Sequence, residues 1–138
     1  EVWLWDRVRV THGETVRGGG GKTAVANLAK SKWSEVYGHI HRCELVARTY
    51  HGPDGPETIT AMSPGCLCKI DGTVPGAARP DAQQGVGIGY LDEHGGLHLQ
   101  VIPIRSGRLV FGGIVISGED RADEIASDLG LPELGLKT

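Results

Sequence analysis

The chain has 138 residues, a formal net charge of −3 and 22% charged residues. This length is enough for one domain with a sizeable core, and the weakly acidic balance argues against a protein that binds nucleic acids or membrane surfaces through bulk charge. The sequence has no long apolar run and no basic segment that leads into one, so we expect neither a transmembrane helix, nor a signal peptide, nor a membrane partner.

Cysteine and glycine usage indicates the compartment and the type of fold. Cys43, Cys66 and Cys68 are an odd number of cysteines at spacings that suit neither a disulfide framework nor a zinc ribbon. We therefore expect reduced thiols and a cytoplasmic location. The 22 glycines, with only 5% aromatic residues, predict many tight turns and a β-rich body.

The first half of the chain predicts strands interrupted by one helix. β-Branched and aromatic residues over 3–10 predict a strand, which leads into a glycine-rich loop. Alanine and leucine at helical spacing predict a helix over 23–32, with Thr23 as its N-cap. Short strands are then predicted over 34–41, 43–52 and 57–62.

The second half predicts a long loop, further strands and a closing helix. Residues 63–85 are rich in proline and glycine, and a loop of this length in a domain usually has a function. Two strands over 86–105 are predicted to form a hairpin, and 107–116 to complete the β region. Ser117 is expected to cap an amphipathic helix that ends at Gly130.

The glycine run over 16–30, VRGGGGKTAVANLAK, is similar to a phosphate-binding loop at one end only. Gly21, Lys22 and Thr23 match the end of the G-x-x-x-x-G-K-[ST] pattern, but Val16 stands where the pattern needs its first glycine. We therefore interpret the run as a flexible loop that leads into a helix N-terminus. A weaker hypothesis is that its backbone N–H groups and Lys22 face an anion.

Three histidines follow predicted strands and are candidates for metal binding. His12 ends one strand, and His39 and His41 end another in the sequence GHIH. Ligands gather at the carboxyl ends of strands in α/β folds, and residues i and i+2 of an extended segment project from the same side. Neutral imidazole is a good ligand for Zn²⁺, Fe²⁺ or Mn²⁺. The remaining histidines are interpreted as surface or hydrogen-bonded residues: His51, His94 and His98.

These motifs resemble the calcineurin-like metallophosphoesterase family. GHIHR over 38–42 resembles its last motif, G-H-x-H followed by arginine, and THG over 11–13 resembles its preceding single-histidine motif. SPGC over 63–66 resembles the Asn-Pro-Gly-Ser type of turn that follows. The resemblance extends over roughly residues 3 to 112. It implies an α/β fold in which this chain is the β-rich C-terminal half of a four-layer αββα sandwich.

The resemblance also implies a site and a mechanism. Family members use two divalent metals, Mn, Fe or Zn, which clamp a phosphate and generate a hydroxide. By motif position, His12 and His39 are expected to bind one metal and His41 the other. Arg42 is expected to pair either with phosphate or with a carboxylate such as Glu44. Lys22 is a weaker candidate for a phosphate contact, and no catalytic residue is assigned in this chain.

The sequence departs from the family in its missing motifs. It contains no counterpart of D-x-H, G-D-x-x-D or G-N-H-[DE], which carry the aspartate and asparagine ligands. Together with an abrupt start that lacks Met, this predicts a fragment: 1–116 as the C-terminal part of the phosphoesterase domain and 117–138 as a helix and tail. We expect weak metal binding and little activity from the chain alone.

The expected partners follow from the same interpretation. They are a phosphoester substrate, with nucleotides and nucleic acids among the candidates, and the missing N-terminal half of the catalytic domain. An open sheet edge favours a homodimer as a further hypothesis. Two alternatives stay open: a phosphate- or nucleotide-binding module that uses the glycine loop and Lys22, and a β-domain without any site.

Overall fold

The computed structural model describes residues 1–53, 55–71 and 81–117. Of these residues, 53% lie in strands and 7% in a single short helix. The expectation of half an αββα sandwich is therefore wrong, because such a sandwich needs helices that cover the outer faces of both sheets. The helix predicted from Ser117 onward falls outside the described residues, apart from Ser117, which ends the last strand.

The chain divides into two compact units, 1–103 and 104–138. The first unit contains a five-stranded sheet in the order β1-β2-β3-β5-β4. β2 pairs with β3 and β3 with β5 in parallel, whereas the two outer pairings are antiparallel. The strands are β1 Val2–Leu4, β2 Val8–Thr11, β3 Ser34–Tyr37, β4 Cys43–Gly52 and β5 Gly55–Pro64.

The strand predicted over 3–10 is in fact a hairpin. Trp5 and Asp6 have φ of 52° and 53°, and this left-handed pair turns the chain back on itself. β1 therefore lies antiparallel to β2, with Val2 opposite Val10. The sequence pattern did not indicate the turn, because neither residue is the glycine that usually takes this conformation.

The helix α1, Lys22–Leu28, connects the parallel strands β2 and β3 and is shorter than predicted. Its N-cap is Gly21 with φ of 75°, not Thr23, whose buried hydroxyl instead accepts a hydrogen bond from the Arg17 N–H at 3.0 Å. The helix packs on the sheet through an apolar core: Ala24, Leu28, Tyr37, Ile40, Ile59 and Ala61.

The longer hairpins agree with the sequence patterns. β4 and β5 pair over ten consecutive positions, from Cys43 opposite Pro64 to Gly52 opposite Gly55. β6, Gln84–Leu91, and β7, Leu97–Ile104, form a separate two-stranded sheet. In the second unit, the described residues form the antiparallel hairpin of β8, Arg108–Phe111, and β9, Ile114–Ser117. Asp54, in the predicted β4–β5 turn, lies outside the described residues.

The one helix of the described chain also bears on the membrane question. Spanning a bilayer takes about 20 apolar residues in helical form. α1 has seven residues, and the described part of the chain contains no helix long and apolar enough to cross a membrane.

Candidate functional site

The carboxyl ends of three strands of the first unit lie at one edge of the sheet. β2, β3 and β5 run parallel, so the loops that follow them begin at the same edge. We call this region the carboxyl edge and define it by residues 12–13, 38–41 and 65–68. It holds all three predicted metal-ligating histidines together with two cysteines.

His12 and His39 come together at the carboxyl edge. His39 Nδ1 lies 3.2 Å from His12 Nε2, and the two rings meet edge to face with centroids 5.0 Å apart. The backbone brings them close: Gly38 donates its N–H to the His12 carbonyl at 3.0 Å. A Cβ at Gly13 would lie only 3.2 Å from the Gly38 carbonyl oxygen, so glycine permits this approach.

The separation of these two nitrogens fits a shared metal ion. Imidazole nitrogens bind Zn²⁺ at about 2.0–2.1 Å, so two such ligands at tetrahedral or octahedral angles lie about 3.0–3.4 Å apart. The 3.2 Å between His39 Nδ1 and His12 Nε2 falls within this range. The same distance also allows a hydrogen bond between the rings when one nitrogen is protonated.

His41 has neighbours that were not among the predicted metal ligands. Residues i and i+2 project from the same side only in an extended chain, but His39 and His41 have φ of 66° and 56°, with Ile40 fully buried between them. The chain turns at each histidine, so the rule for extended segments does not apply. His41 instead joins Cys66 and Cys68, and one ligand atom from each of the three lies within 4.8 Å of the others.

The two cysteines of this group were not predicted from the sequence as metal ligands. The available signal was the Cys66-x-Cys68 spacing, which places two thiols on one loop. This spacing alone does not predict a zinc ribbon, because a zinc ribbon needs a second pair of ligands close in sequence. The third residue of the group, His41, comes instead from the loop after β3, which the parallel pairing of β3 and β5 brings near.

The segment 83–85 holds the backbone of this group in place. Cys66 N–H donates to the Gln83 carbonyl at 3.0 Å, and Gln83 N–H donates to the His41 carbonyl at 2.7 Å. Gly85 N–H returns a bond to the Cys66 carbonyl at 3.1 Å, and the Gln84 side-chain amide donates to the Cys68 carbonyl at 2.9 Å. The histidine and cysteine loops are therefore tied to a common strand.

The third cysteine, Cys43, is a packing residue beside the group. Its thiol donates to the Pro64 carbonyl at 3.3 Å, and burial raises its pKa. Burial also raises the pKa of the Cys66 thiol, and the neighbouring Cys68 thiol raises it further. All three cysteines are free of disulfide bonds.

Arg42 is buried in an ion-pair network rather than exposed to a substrate. Its guanidinium donates to Glu44 at 3.1 Å, to Asp81 at 2.6 Å and to the Arg17 carbonyl at 2.7 Å. Arg42 is therefore paired with the carboxylate of Glu44, which is one of the two partners predicted for it. Tyr37 also donates to Glu44 at 2.9 Å, and burial together with this carboxylate raises the pKa of the tyrosine.

The glycine loop leads into a helix end that is already occupied. The first-turn N–H of Ala24 donates to Glu44 Oε2 at 3.0 Å, and the Thr23 hydroxyl accepts from Arg42 at 3.1 Å. In a phosphate-binding loop these groups face the phosphates and Mg²⁺. A phosphate here would lie beside the buried Glu44 carboxylate. The Lys22 side chain lies over Gly19, with Cε 3.5 Å from where a Cβ would stand.

A cavity of about 460 Å³ opens beside His12. Glu14 and Glu35 line it, and Glu35 is paired with Arg9. Carboxylate oxygens in such a cavity favour cations, and a phosphoester would need a cation to enter it.

The other histidines lie elsewhere on the surface, where His98 bonds to Asp92 at 2.8 Å. That hydrogen bond lowers the pKa of Asp92.

Comparisons with known proteins add no relative to these observations. A scan against models of protein families gives no match. Searches of curated proteins and of solved structures likewise give no significant match. The chemistry of the chain is therefore inferred from its own side chains.

Proposed function

We propose that this chain contributes to a metal-dependent phosphoesterase and that His12 and His39 bind one of its divalent metal ions. The observation that supports the proposal is the 3.2 Å separation of the two imidazole nitrogens at the carboxyl edge. Mn²⁺, Fe²⁺ and Zn²⁺ all accept imidazole nitrogen together with oxygen ligands. The G-H-x-H and single-histidine motifs point to the same class of enzyme.

The chain's own residues would hold and orient the reacting groups. His12 and His39, both exposed, present neutral nitrogens from two adjacent strands, and the cavity beside His12 has room for a phosphoester. A bound divalent ion supplies Lewis acidity toward the phosphoryl oxygen and lowers the pKa of water. Glu14, exposed in the same cavity, offers an oxygen ligand close to His12.

The proposal includes a need for further ligands. Two imidazoles and an exposed carboxylate make a weak site, because tight sites use three or more fixed protein ligands. By the family resemblance, the aspartate and asparagine ligands belong to an N-terminal half, with which this chain would associate.

The three free thiols support a reducing compartment such as the cytoplasm.

The test is a titration with Mn²⁺, which prefers nitrogen and oxygen ligands to thiolates. We expect weak binding that broadens the NMR signals of the His12 and His39 rings. His39→Ala should abolish this binding, whereas the matched variant His51→Ala, at the far end of β4, should retain it. Mn²⁺ binding that is unaffected by His39→Ala would overturn the proposal.

Hydrolysis of a generic phosphodiester such as bis(p-nitrophenyl) phosphate tests the need for a second half. We expect turnover near background for the chain with Mn²⁺. Robust turnover that is lost in His39→Ala would support the enzyme class but contradict the requirement for further ligands. Absent turnover together with absent Mn²⁺ binding would count against the function as a whole.

A further inference from the structure

The second group of the carboxyl edge has a different chemistry from the histidine pair. His41, Cys66 and Cys68 offer one imidazole nitrogen and two thiol sulfurs. Soft sulfur donors select ions such as Zn²⁺ over Mn²⁺ or Mg²⁺, which prefer oxygen. Zn²⁺ sites with sulfur and nitrogen ligands are tetrahedral, with bonds of about 2.3 Å to sulfur and 2.0–2.1 Å to nitrogen.

We propose that His41, Cys66 and Cys68 form a zinc-binding site that is separate from the His12–His39 pair. One ligand atom from each residue already lies within 4.8 Å of the other two. One nitrogen and two sulfur ligands of a tetrahedral Zn²⁺ lie about 3.5–3.8 Å apart, so binding requires only a small contraction of the group. This site does not depend on the phosphoesterase proposal, because the two sites share no ligand.

An unsatisfied polar atom supports the site. The Nδ1 atom of His41 is buried and has no hydrogen-bond partner within the described ranges. A buried nitrogen without a partner costs free energy, so native proteins rarely leave one unpaired. Coordination of the ion through Nδ1 would give this nitrogen the partner that the described residues do not provide.

The backbone around the group is held in an unusual shape. His41 has a positive φ of 56°, and Gly65 has φ of 89°. A Cβ at Gly65 would lie 2.5 Å from the Gln83 carbonyl oxygen, so the cysteine loop packs directly against the segment 83–85. The same segment is hydrogen-bonded to the His41 carbonyl. Left-handed backbone at a histidine is costly and is concentrated at functional sites. The cost is consistent with ligands fixed before the ion arrives.

Cys43 does not complete the site, since its thiol already donates to the Pro64 carbonyl at 3.3 Å. Three protein ligands therefore leave a fourth position for water or an exogenous ligand, as in zinc sites with chemical activity. That arrangement makes Cys43 a matched control, because it is a neighbouring cysteine that contributes no ligand.

The test compares thiol protection and zinc affinity in the whole chain under reducing conditions. Stoichiometric Zn²⁺ should protect Cys66 and Cys68, but not Cys43, from alkylation as mapped by mass spectrometry. Cys66→Ser and Cys68→Ser should each weaken zinc binding by about 100-fold, and His41→Ala by about 10-fold or more. Cys43→Ser and His51→Ala should leave the zinc affinity nearly unchanged.

Two results would overturn the site. The first is equal alkylation of the wild-type chain with and without Zn²⁺, which needs no variant and is independent of any folding defect. The second is undiminished zinc affinity in both Cys66→Ser and Cys68→Ser. Binding of Co²⁺ provides a further readout, because a thiolate–cobalt absorption band in the wild type should disappear in Cys66→Ser and persist in Cys43→Ser. Failure of these experiments leaves the Mn²⁺ test of His12 and His39 unaffected.

Discussion

The buried network around Arg42 and the carboxyl edge both include residues of one six-residue stretch, HIHRCE over 39–44, yet they differ in burial and in hydrogen bonding. Arg42 and Glu44 are each 4% exposed and bond to one another. His39 is exposed, and His41 keeps a buried nitrogen without a protein partner in the described structure. Buried charges that are paired with each other indicate a role in stabilising the fold. A strained backbone and a buried nitrogen without a hydrogen-bond partner indicate a role in ligand binding.

The two regions are also mechanically connected. The network fixes the start of β4 against α1, since Glu44 accepts from Ala24 N–H and from Tyr37. His41 is the second residue before the start of β4, so the position of its loop depends on that anchor. The network therefore contributes to the site without touching a ligand, and the experiments below are designed to separate the two roles.

The largest effect is expected from Arg42→Met. This change leaves Glu44 buried without its cation and should lower the free energy of unfolding by about 3–5 kcal/mol. Urea denaturation followed by circular dichroism provides the measurement. Arg48→Met is the matched control, because Arg48 is exposed and should contribute about 1 kcal/mol or less. A loss below that of the control would mean that the network is not a structural anchor.

The next effect is expected from Gly85→Ala, in the strand that holds the cysteine loop. The added Cβ would lie 2.5 Å from the Pro64 carbonyl oxygen and 2.7 Å from Cys43 Sγ. We expect destabilisation of about 1–3 kcal/mol and a weaker zinc site, because the two strands must separate. Gly20→Ala is the control, since nothing lies within 4 Å of its Cβ position. Equal stabilities of the two variants would contradict the close approach.

A smaller effect distinguishes strain from packing at His39. Because its φ is 66°, His39→Gly should be more stable than His39→Ala by about 1 kcal/mol, as measured by thermal or urea denaturation. At His51, within β4, the order should reverse, since glycine weakens a strand. The same order at both positions would argue against backbone strain at the carboxyl edge.

The smallest effect concerns the exposed pair of Asp92 and His98, which serves as a reference outside both regions. The hydrogen bond from His98 lowers the pKa of Asp92 below its value in the unfolded chain. Its contribution to stability is therefore present above the unfolded pKa and is lost as the pH falls through the folded pKa. An NMR titration should give a lower pKa for Asp92 in the wild type than in His98→Asn. Equal pKa values of Asp92 in the two proteins would show that the hydrogen bond from His98 does not form in solution.

The sequence predicts features that depend on local pattern and misses those that depend on distant pairing. The β4 strand and the β6–β7 hairpin follow from apolar spacing and turn residues. The meeting of His12 and His39 follows from the rule that parallel strands end at one edge. The proximity of His41 to Cys66 could not be predicted in this way, because it requires left-handed backbone at a histidine and the parallel pairing of β3 with β5. The layered sandwich was predicted from the family resemblance alone, and it is contradicted by the described residues, which form one short helix.

The order of strands in the sheet has a consequence for how fast the parts of the molecule form. The β4–β5 hairpin pairs neighbouring segments, so it closes a short loop and can form early. The carboxyl edge needs β2, β3, β5 and the segment 83–85 in place at once, which joins residues far apart in the chain. We therefore expect this edge to assemble after the folding transition state. Interactions that form late change the unfolding rate more than the folding rate, so a bound ion should prolong the lifetime of the folded chain without accelerating its formation.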